Sequence, residues 1–534
     1  MEVSADRQET PNKPRPELEE VEHHGQPWML TTTEAKLLGI AGVGFFLDAY
    51  DLFIINPVTT MLQYRLYGGK HLPADLEGLV KAGANIGSVI GQFLFGYLAD
   101  SLGRHKVYGK ELMLIIFATI MTITTPTGQL TPDHSLIYLA IWRIVLGVGV
   151  GGDYPMSASV TSDRANIRKR GTMLTYIFAN QGWGSLAGSL VIITLLAIYK
   201  HTIDVEGHIS KVDGIWRIAV GLSLIPAFGT LYQRLTLGES TRYEKSKKLS
   251  EFGPTSPSDS EEGISKLKDL SGKECDATQV KNVDDNADVR SLAPEEVVKK
   301  PAHFKGEYFR RWENAKLLFA TSASWFLLDI AFYGINLNQN VVLQQIGFDG
   351  ATGSAWHKLF RVSTGGIIIT VLGFVPGYYA TLFTIEILGR KWIQIQGFLV
   401  SALFLAILAG KFHTLSTVQF IVCFAFLQFF FNFGANTTTY CYPAELFPTR
   451  YKAFAHGISA ASGKAGAIIS ALAFNRLSKS IGTPAVLWIF FGCCMVGAVV
   501  SLLLPEVKGR DADVIFAEQI RERRRKQGAE VDID

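Results

Sequence analysis

Charge is what this sequence has least of for its length. Only 19% of its 534 residues are Asp, Glu, Lys or Arg, whereas a water-soluble chain this long carries more and divides into several domains. Basic and acidic residues nearly balance, at a net +3, which is too little to hold a nucleic acid. Cysteine is scarce as well. Cys275, Cys423, Cys441, Cys493 and Cys494 show no CxxC spacing and no clustered His accompanies them. That argues against a metal or redox site and makes the four that lie in apolar runs packing residues. The first 30 residues lack an apolar stretch behind a basic start, so the first apolar run has to act as its own insertion signal. No nucleophile–base constellation stands out. The glycine run at 147–152 has no preceding strand and no GK[ST] ending, which removes a nucleotide loop. No cofactor, no metal and no enzymatic activity are expected.

What is present is apolar sequence in long blocks. Gly397–Gly410 reads GFLVSALFLAILAG, and Ala485–Leu504 carries no charge at all. Runs near 20 residues match a hydrocarbon core of roughly 30 Å crossed at about 1.5 Å per residue. Twelve spans are predicted, near 35–61, 79–100, 107–126, 135–159, 172–199 and 215–237, then 315–337, 357–384, 392–410, 415–441, 453–476 and 483–504. The reading is an all-α membrane protein of about twelve transmembrane helices in two six-helix bundles. Residues 1–34 form a polar, disordered tail, 35–237 the first bundle, 238–313 a hydrophilic linker, 314–505 the second bundle and 506–534 a charged tail. Basic residues follow the even spans, as at Arg104, Lys106, Arg164, Lys169, Arg390 and Arg450. The positive-inside rule then makes both termini and the linker cytoplasmic, although Arg65 and Lys70 fall on the opposite side.

The halves repeat. Asp100-Ser-Leu-Gly103-Arg104 recurs as Glu386-Ile-Leu-Gly389-Arg390, 386 − 100 = 286 positions later. Duplicated six-span halves describe the major facilitator architecture, with a binding site at midplane between them.

Function has to be sought in polar groups inside the spans, because a mid-bilayer charge costs roughly 2.5–3.5 kcal/mol unless it faces a partner or a cavity. Span 1 carries Asp48 and Asp51, span 3 Glu111, and span 4 Arg143, Asp153 and Tyr154. Span 5 carries Gln181, span 10 Asn436 and span 11 Lys464 among small residues. Trp325, Asp329 and Tyr333 recur every four residues in span 7 and share one helical face. These positions keep register. Asp153 to Gln181 and Asn436 to Lys464 are both 28 apart, Asp48 to Asp329 is 281, and Asp153 to Asn436 is 283. Matching depth in the two halves argues for one central site.

Lys464 supplies a mobile point charge with three donors. Tyr154, Gln181, Trp325, Tyr333 and Asn436 supply hydrogen-bond donors. A tetrahedral oxyanion would satisfy such a ring. Asp329 fits beside it if it is protonated or accepts from a protonated substrate oxygen. Burial favours the neutral form of a carboxyl, so Asp48, Asp153 and Asp329 are candidate proton carriers. Glu111 and Arg143 either form a buried pair between spans 3 and 4 or belong to the proton path. Asp51 is expected to face a vestibule near a helix end.

Three blocks carry a resemblance. GGDYPMSASVTSD (Gly151–Asp163), FLLDIAFYGINLNQN (Phe326–Asn340) and NFGANTTTYCYPAELFPTRYKAFAHGISAASGKAGAI (Asn432–Ile468) are similar to the span 4, 7 and 10–11 signatures of the phosphate:proton symporter family of the major facilitator superfamily, in its fungal high-affinity form. The likeness departs from the common pattern at Met156, Asp163 and Ala435. It implies a phosphate site of Tyr154, Gln181, Trp325, Asp329, Tyr333, Asn436 and Lys464, and proton coupling through Asp48 and Asp153 with Glu111 and Arg143 as accessories. It also implies import of inorganic phosphate at the plasma membrane, with phosphate, protons and the lipid bilayer as the partners. A carrier of glycerophosphodiesters or another oxyanion, a sugar:proton porter and a nutrient-sensing receptor are the rival readings. A lysine and an aspartate sharing one site argue against a neutral sugar.

Overall fold

The computed structural model describes residues 28–238, 240, 243, 308–338 and 353–531. The expected disordered tail up to residue 27 and most of the expected linker, 244–307, lie outside the described residues.

Among the described residues, the apolar blocks form helices in antiparallel succession. The first half contains α1 (Glu34–Tyr67), α2 (Ala74–Leu102), α3 (Lys110–Ile123), α4 (Pro132–Arg164), α5 (Arg170–Ile198) and α6 (Ile209–Leu235). The second contains α7 (Trp312–Asn336), α8 (Ala355–Leu388), α9 (Arg390–Gly410), α10 (Thr417–Leu446), α11 (Lys452–Ile481) and α12 (Thr483–Ser501). A polar helix, α13 (Ala512–Val531), follows. Ten of these are long and apolar enough to cross a bilayer. The remaining two of the twelve are α2, which opens with Asp75, Glu77 and Lys81, and α3, which has 14 residues.

Local chemistry sets the ends. Thr31 and Glu34 form a capping box that starts α1, and Thr131 caps α4 with Pro132 in its first turn, satisfying backbone N–H groups that have no partner within the helix. Gly103 and Gly389 close α2 and α8 at φ of 100° and 86°, a conformation that disfavours any side chain. On α2, Ile90, Phe93, Leu94 and Tyr97 are exposed and share one face, an apolar stripe turned outward as a lipid-facing helix requires. The opposite face of α2 closes on α4. A Cβ at Gly87 would strike Ile144 O, and one at Gly147 would strike Ala84 O, so glycine is what allows the two backbones to meet.

Both described ends, near Trp28 and Asp513, lie on one face of the bundle, hereafter the terminal face. There the repeated motif makes repeated contacts. Arg104 pairs with Asp163 at the end of α4. Arg390 pairs with Glu445 at the end of α10 through Nε, at 2.7 Å, and 445 − 163 = 282 keeps the repeat. Other bonds tie the halves together. Lys452 Nζ reaches Asp163 Oδ1 at 2.9 Å, Arg104 Nη2 donates to Thr449 O at 2.8 Å, Phe454 N to Asp100 Oδ2 at 2.8 Å and Thr172 N to Glu386 Oε1 at 3.1 Å. Toward the opposite face the halves are joined by bonds such as Asn56 Nδ2 to Asn336 O at 3.1 Å and Trp356 Nε1 to Leu196 O at 2.6 Å.

Candidate substrate and proton site

The helical spacing of α7 turns Trp325, Asp329 and Tyr333 to the interior, where all three are buried. Lys464 arrives from α11. Its ammonium donates to the Tyr333 hydroxyl at 2.5 Å and lies 4.3 Å from the Tyr333 ring centre and 5.0 Å from that of Tyr154. Ring faces attract a desolvated cation. Asp329 and Asp48, one from each half, lie within electrostatic reach of the same ammonium. The Lys464 side chain is only 1% exposed, so these groups replace its water.

From Tyr154 a hydrogen-bonded chain crosses between the halves. Gln181 Nε2 on α5 donates to the Tyr154 hydroxyl at 2.8 Å. The Tyr378 hydroxyl on α8 donates to Gln181 Oε1 at 3.4 Å and accepts from Asn436 Nδ2 on α10 at 3.0 Å. Asn436 also donates to Asn432 Oδ1 at 2.7 Å. Trp325 stands with its ring centre 6.3 Å from that of Tyr154 and 5.6 Å from that of His456. All seven residues implied for the anion thus join one buried constellation drawn from α4, α5, α7, α10 and α11. Tyr378, at its centre, was not singled out from the sequence: a tyrosine inside the apolar run of α8 gives no signal until its neighbours across the seam are known.

The carboxylates lie toward the terminal face of this constellation. Asp153 and Glu111 share one cation, which is Arg234, the penultimate residue of α6. Arg234 Nη1 and Nη2 donate to Asp153 Oδ1 and Oδ2 at 2.9 and 3.2 Å, and Nη1 also reaches Glu111 Oε1 at 3.3 Å. Ser157 Oγ donates to Asp153 Oδ1 at 2.7 Å, and Gly109 N to Glu111 Oε1 at 2.8 Å. A Cβ at Gly44 would fall on Asp153 Oδ2 and Arg234 Nη2, so α1 has to be bare there. Asp48, one turn further along α1, is fully buried and neither carboxyl oxygen has a hydrogen bond.

Two expectations are corrected. Glu111 and Arg143 do not pair. Arg143 Nε donates to Val80 O at 3.0 Å and Nη1 to Asp51 O at 3.2 Å. Glu111 packs level with Gly152, where an added Cβ would lie 3.0 Å from Glu111 Cβ. Arg143 is nine residues back (152 − 143 = 9), about 13 Å along the helix. Asp51 does not face a vestibule either; it is buried beside Arg143 and Ser223, because α1 continues past Phe53 to Tyr67 and covers it.

Above Lys464, on the side away from the termini, lies an aromatic layer. The Phe53 ring stacks on that of Tyr333 at 6.3 Å and meets Phe374 edge-on at 6.0 Å. Beyond it opens a narrow cleft lined by Asn56, Ser185, Asn336, Ser363 and Thr370. Phe374 ends a π-helical turn, Thr370–Phe374, a local irregularity of the kind that recurs at functional positions.

Twelve helices in two halves around a buried polar site define a membrane transporter of the major facilitator fold. The family model described as sugar (and other) transporter matches residues 37–516, and the chain belongs to that family. A putative inorganic phosphate transporter of Schizosaccharomyces pombe is 47% identical over 510 residues, 91% of this chain and 88% of that protein. The inorganic phosphate transporter PHO84 of Saccharomyces cerevisiae is 36% identical over 529 residues, 93% of this chain and 86% of that one. Among solved structures, the proton:xylose symporter XylE aligns with a TM-score of 0.66 at 19% identity, over 91% of this chain and 98% of that one, a likeness of fold. The family and these relatives are transporters, and the chain is a multi-pass membrane transporter rather than an enzyme.

Proposed function

We propose that this protein imports inorganic phosphate together with protons across the plasma membrane by alternating access, with its terminal face cytoplasmic. The observation that carries the reading is the Lys464 ammonium, held by the Tyr333 hydroxyl where the hydrogen-bonded chain through Tyr154, Gln181, Tyr378 and Asn436 passes between the halves. Phosphate oxygens accept from Lys464, Tyr154, Tyr333, Gln181, Trp325 and Asn436 in place of water, and Asp329 accepts from a protonated phosphate oxygen. Asp48 and Asp153 carry protons, with Glu111 and Arg143 bordering their path. The names borne by the relatives support this substrate, and the basic loops of the terminal face support its cytoplasmic placement.

The test is uptake in proteoliposomes. Labelled phosphate accumulates under an inward proton gradient, and excess glucose or glycerophosphate barely competes. Lys464→Ala abolishes uptake while the protein keeps its thermal transition. Undiminished uptake in that variant would refute the site, and preference for the organic phosphate or the sugar would refute the substrate.

A further inference from the structure

Arg234 is a buried cation that the sequence did not point to, and it links α6 to the carboxylates of α3 and α4. Its guanidinium carries one charge and touches two carboxyl groups. It also donates to Ile40 O of α1 at 3.4 Å and stands 4.9 Å from the Tyr108 ring centre. Four elements therefore converge on one planar fork. The groups facing Asp153 are Asp48 from α1, Tyr108 and Glu111 at the start of α3, Tyr440 from α10 and Arg234 itself, with Ser157 on its own helix. Arg234 is the one positive charge among them.

We propose that Arg234 is a positioning residue for proton coupling: its fork fastens α6 to α4 only while Asp153 is a carboxylate, and a proton arriving on Asp153 hands the guanidinium to Glu111. The step balances. A proton delivered from the opposite face adds to Asp153 Oδ2, and the hydrogen bond from Arg234 Nη2 to that oxygen breaks. The charge of Arg234 stays compensated because Glu111 Oε1 is already 3.3 Å from Nη1 and Glu111 Oε2 has no partner of its own. A buried cation left with no carboxylate would be strongly unfavourable, and the second acid removes that obstacle. Loss of the proton toward the terminal face restores the two-pronged bond and refastens α6. A guanidinium suits this exchange because two of its nitrogens can bind one carboxylate while a third contact waits.

The inference rests on the transport reading above, and its test separates the two. Proteoliposomes are assayed for phosphate accumulation under a proton gradient and for phosphate exchange with preloaded vesicles at equal pH. Absence of phosphate exchange in the unaltered protein would end the transport reading itself. In Arg234→Gln the ratio of accumulation to exchange falls about tenfold or more, a magnitude usual for a coupling interaction, and the pH profile of uptake flattens. In Asp153→Asn/Arg234→Gln the ratio equals that of Asp153→Asn alone, since the two residues act as one unit. An Arg234→Gln protein that keeps the normal ratio overturns the proposal, and so does one that loses accumulation and exchange equally while retaining its thermal transition. If Arg234→Gln does not fold, Arg234→Lys decides: one ammonium cannot hold both oxygens in the same geometry, so the ratio drops and the profile shifts, and an unchanged ratio and profile overturn the proposal.

Discussion

The Tyr378 hydroxyl stands between Gln181 of one half and Asn436 of the other, donating to the first at 3.4 Å and accepting from the second at 3.0 Å. It is the joint of a polar chain that would otherwise stop at the seam.

Tyr378→Phe removes that joint and leaves the ring in place. One neutral hydrogen bond is worth about 1 kcal/mol, so the KM for phosphate rises roughly fivefold while the folded protein persists. Initial uptake rates against phosphate concentration measure it, and an unchanged KM places Tyr378 outside the site.

Asp48→Asn deletes a buried carboxyl whose oxygens have no hydrogen bond. No hydrogen bond is broken by the exchange and Asp329 still faces the Lys464 ammonium, so thermal stability holds or rises, whereas proton-driven accumulation is lost. Thermal unfolding in detergent and uptake with and without a pH gradient check both halves of this expectation.

Gly44→Ala puts a methyl group onto the Asp153–Arg234 contact. Overpacking of this kind costs about 1–3 kcal/mol. The transition temperature falls by several degrees, and Gly39→Ala, where no atom lies within 4 Å, serves as the control that leaves it unmoved.

Lys452→Ala removes a buried tie between halves at the terminal face. Opening on that side becomes easier, and Cys441, buried 4.0 Å from Thr175 of the other half, becomes reachable. With Cys275, Cys423, Cys493 and Cys494 replaced by Ser, its maleimide labelling accelerates about fivefold or more, as release of roughly 1 kcal/mol implies.

Sequence reasoning reached the second-half residues of the site better than it reached the first-half cations. Asp329, Asn436 and Lys464 were legible because each is a polar group inside an apolar run and because their spacing repeats that of Asp48, Asp153 and Gln181. Arg234 was missed since a basic residue one position from a helix end, at Leu235, reads as an ordinary anchor at the membrane border. Only packing reveals that α6 tucks this end inward over Tyr108. Pairing of Arg143 with Glu111 was one of two readings left open, because opposite charges in neighbouring spans invite it. The close approach of α3 to Gly149 and Gly152 sets Glu111 level with that end of α4, beyond the reach of Arg143.

The glycine contact between α2 and α4 leaves no slack between two helices with different neighbours. Asp100 on α2 grips the start of α11 in the other half, and α4 carries Asp153. A shift of α11 that pulls on α2 therefore moves Asp153 in the same stroke, so that the seam behaves as a rigid lever whose far arm carries a buried acid.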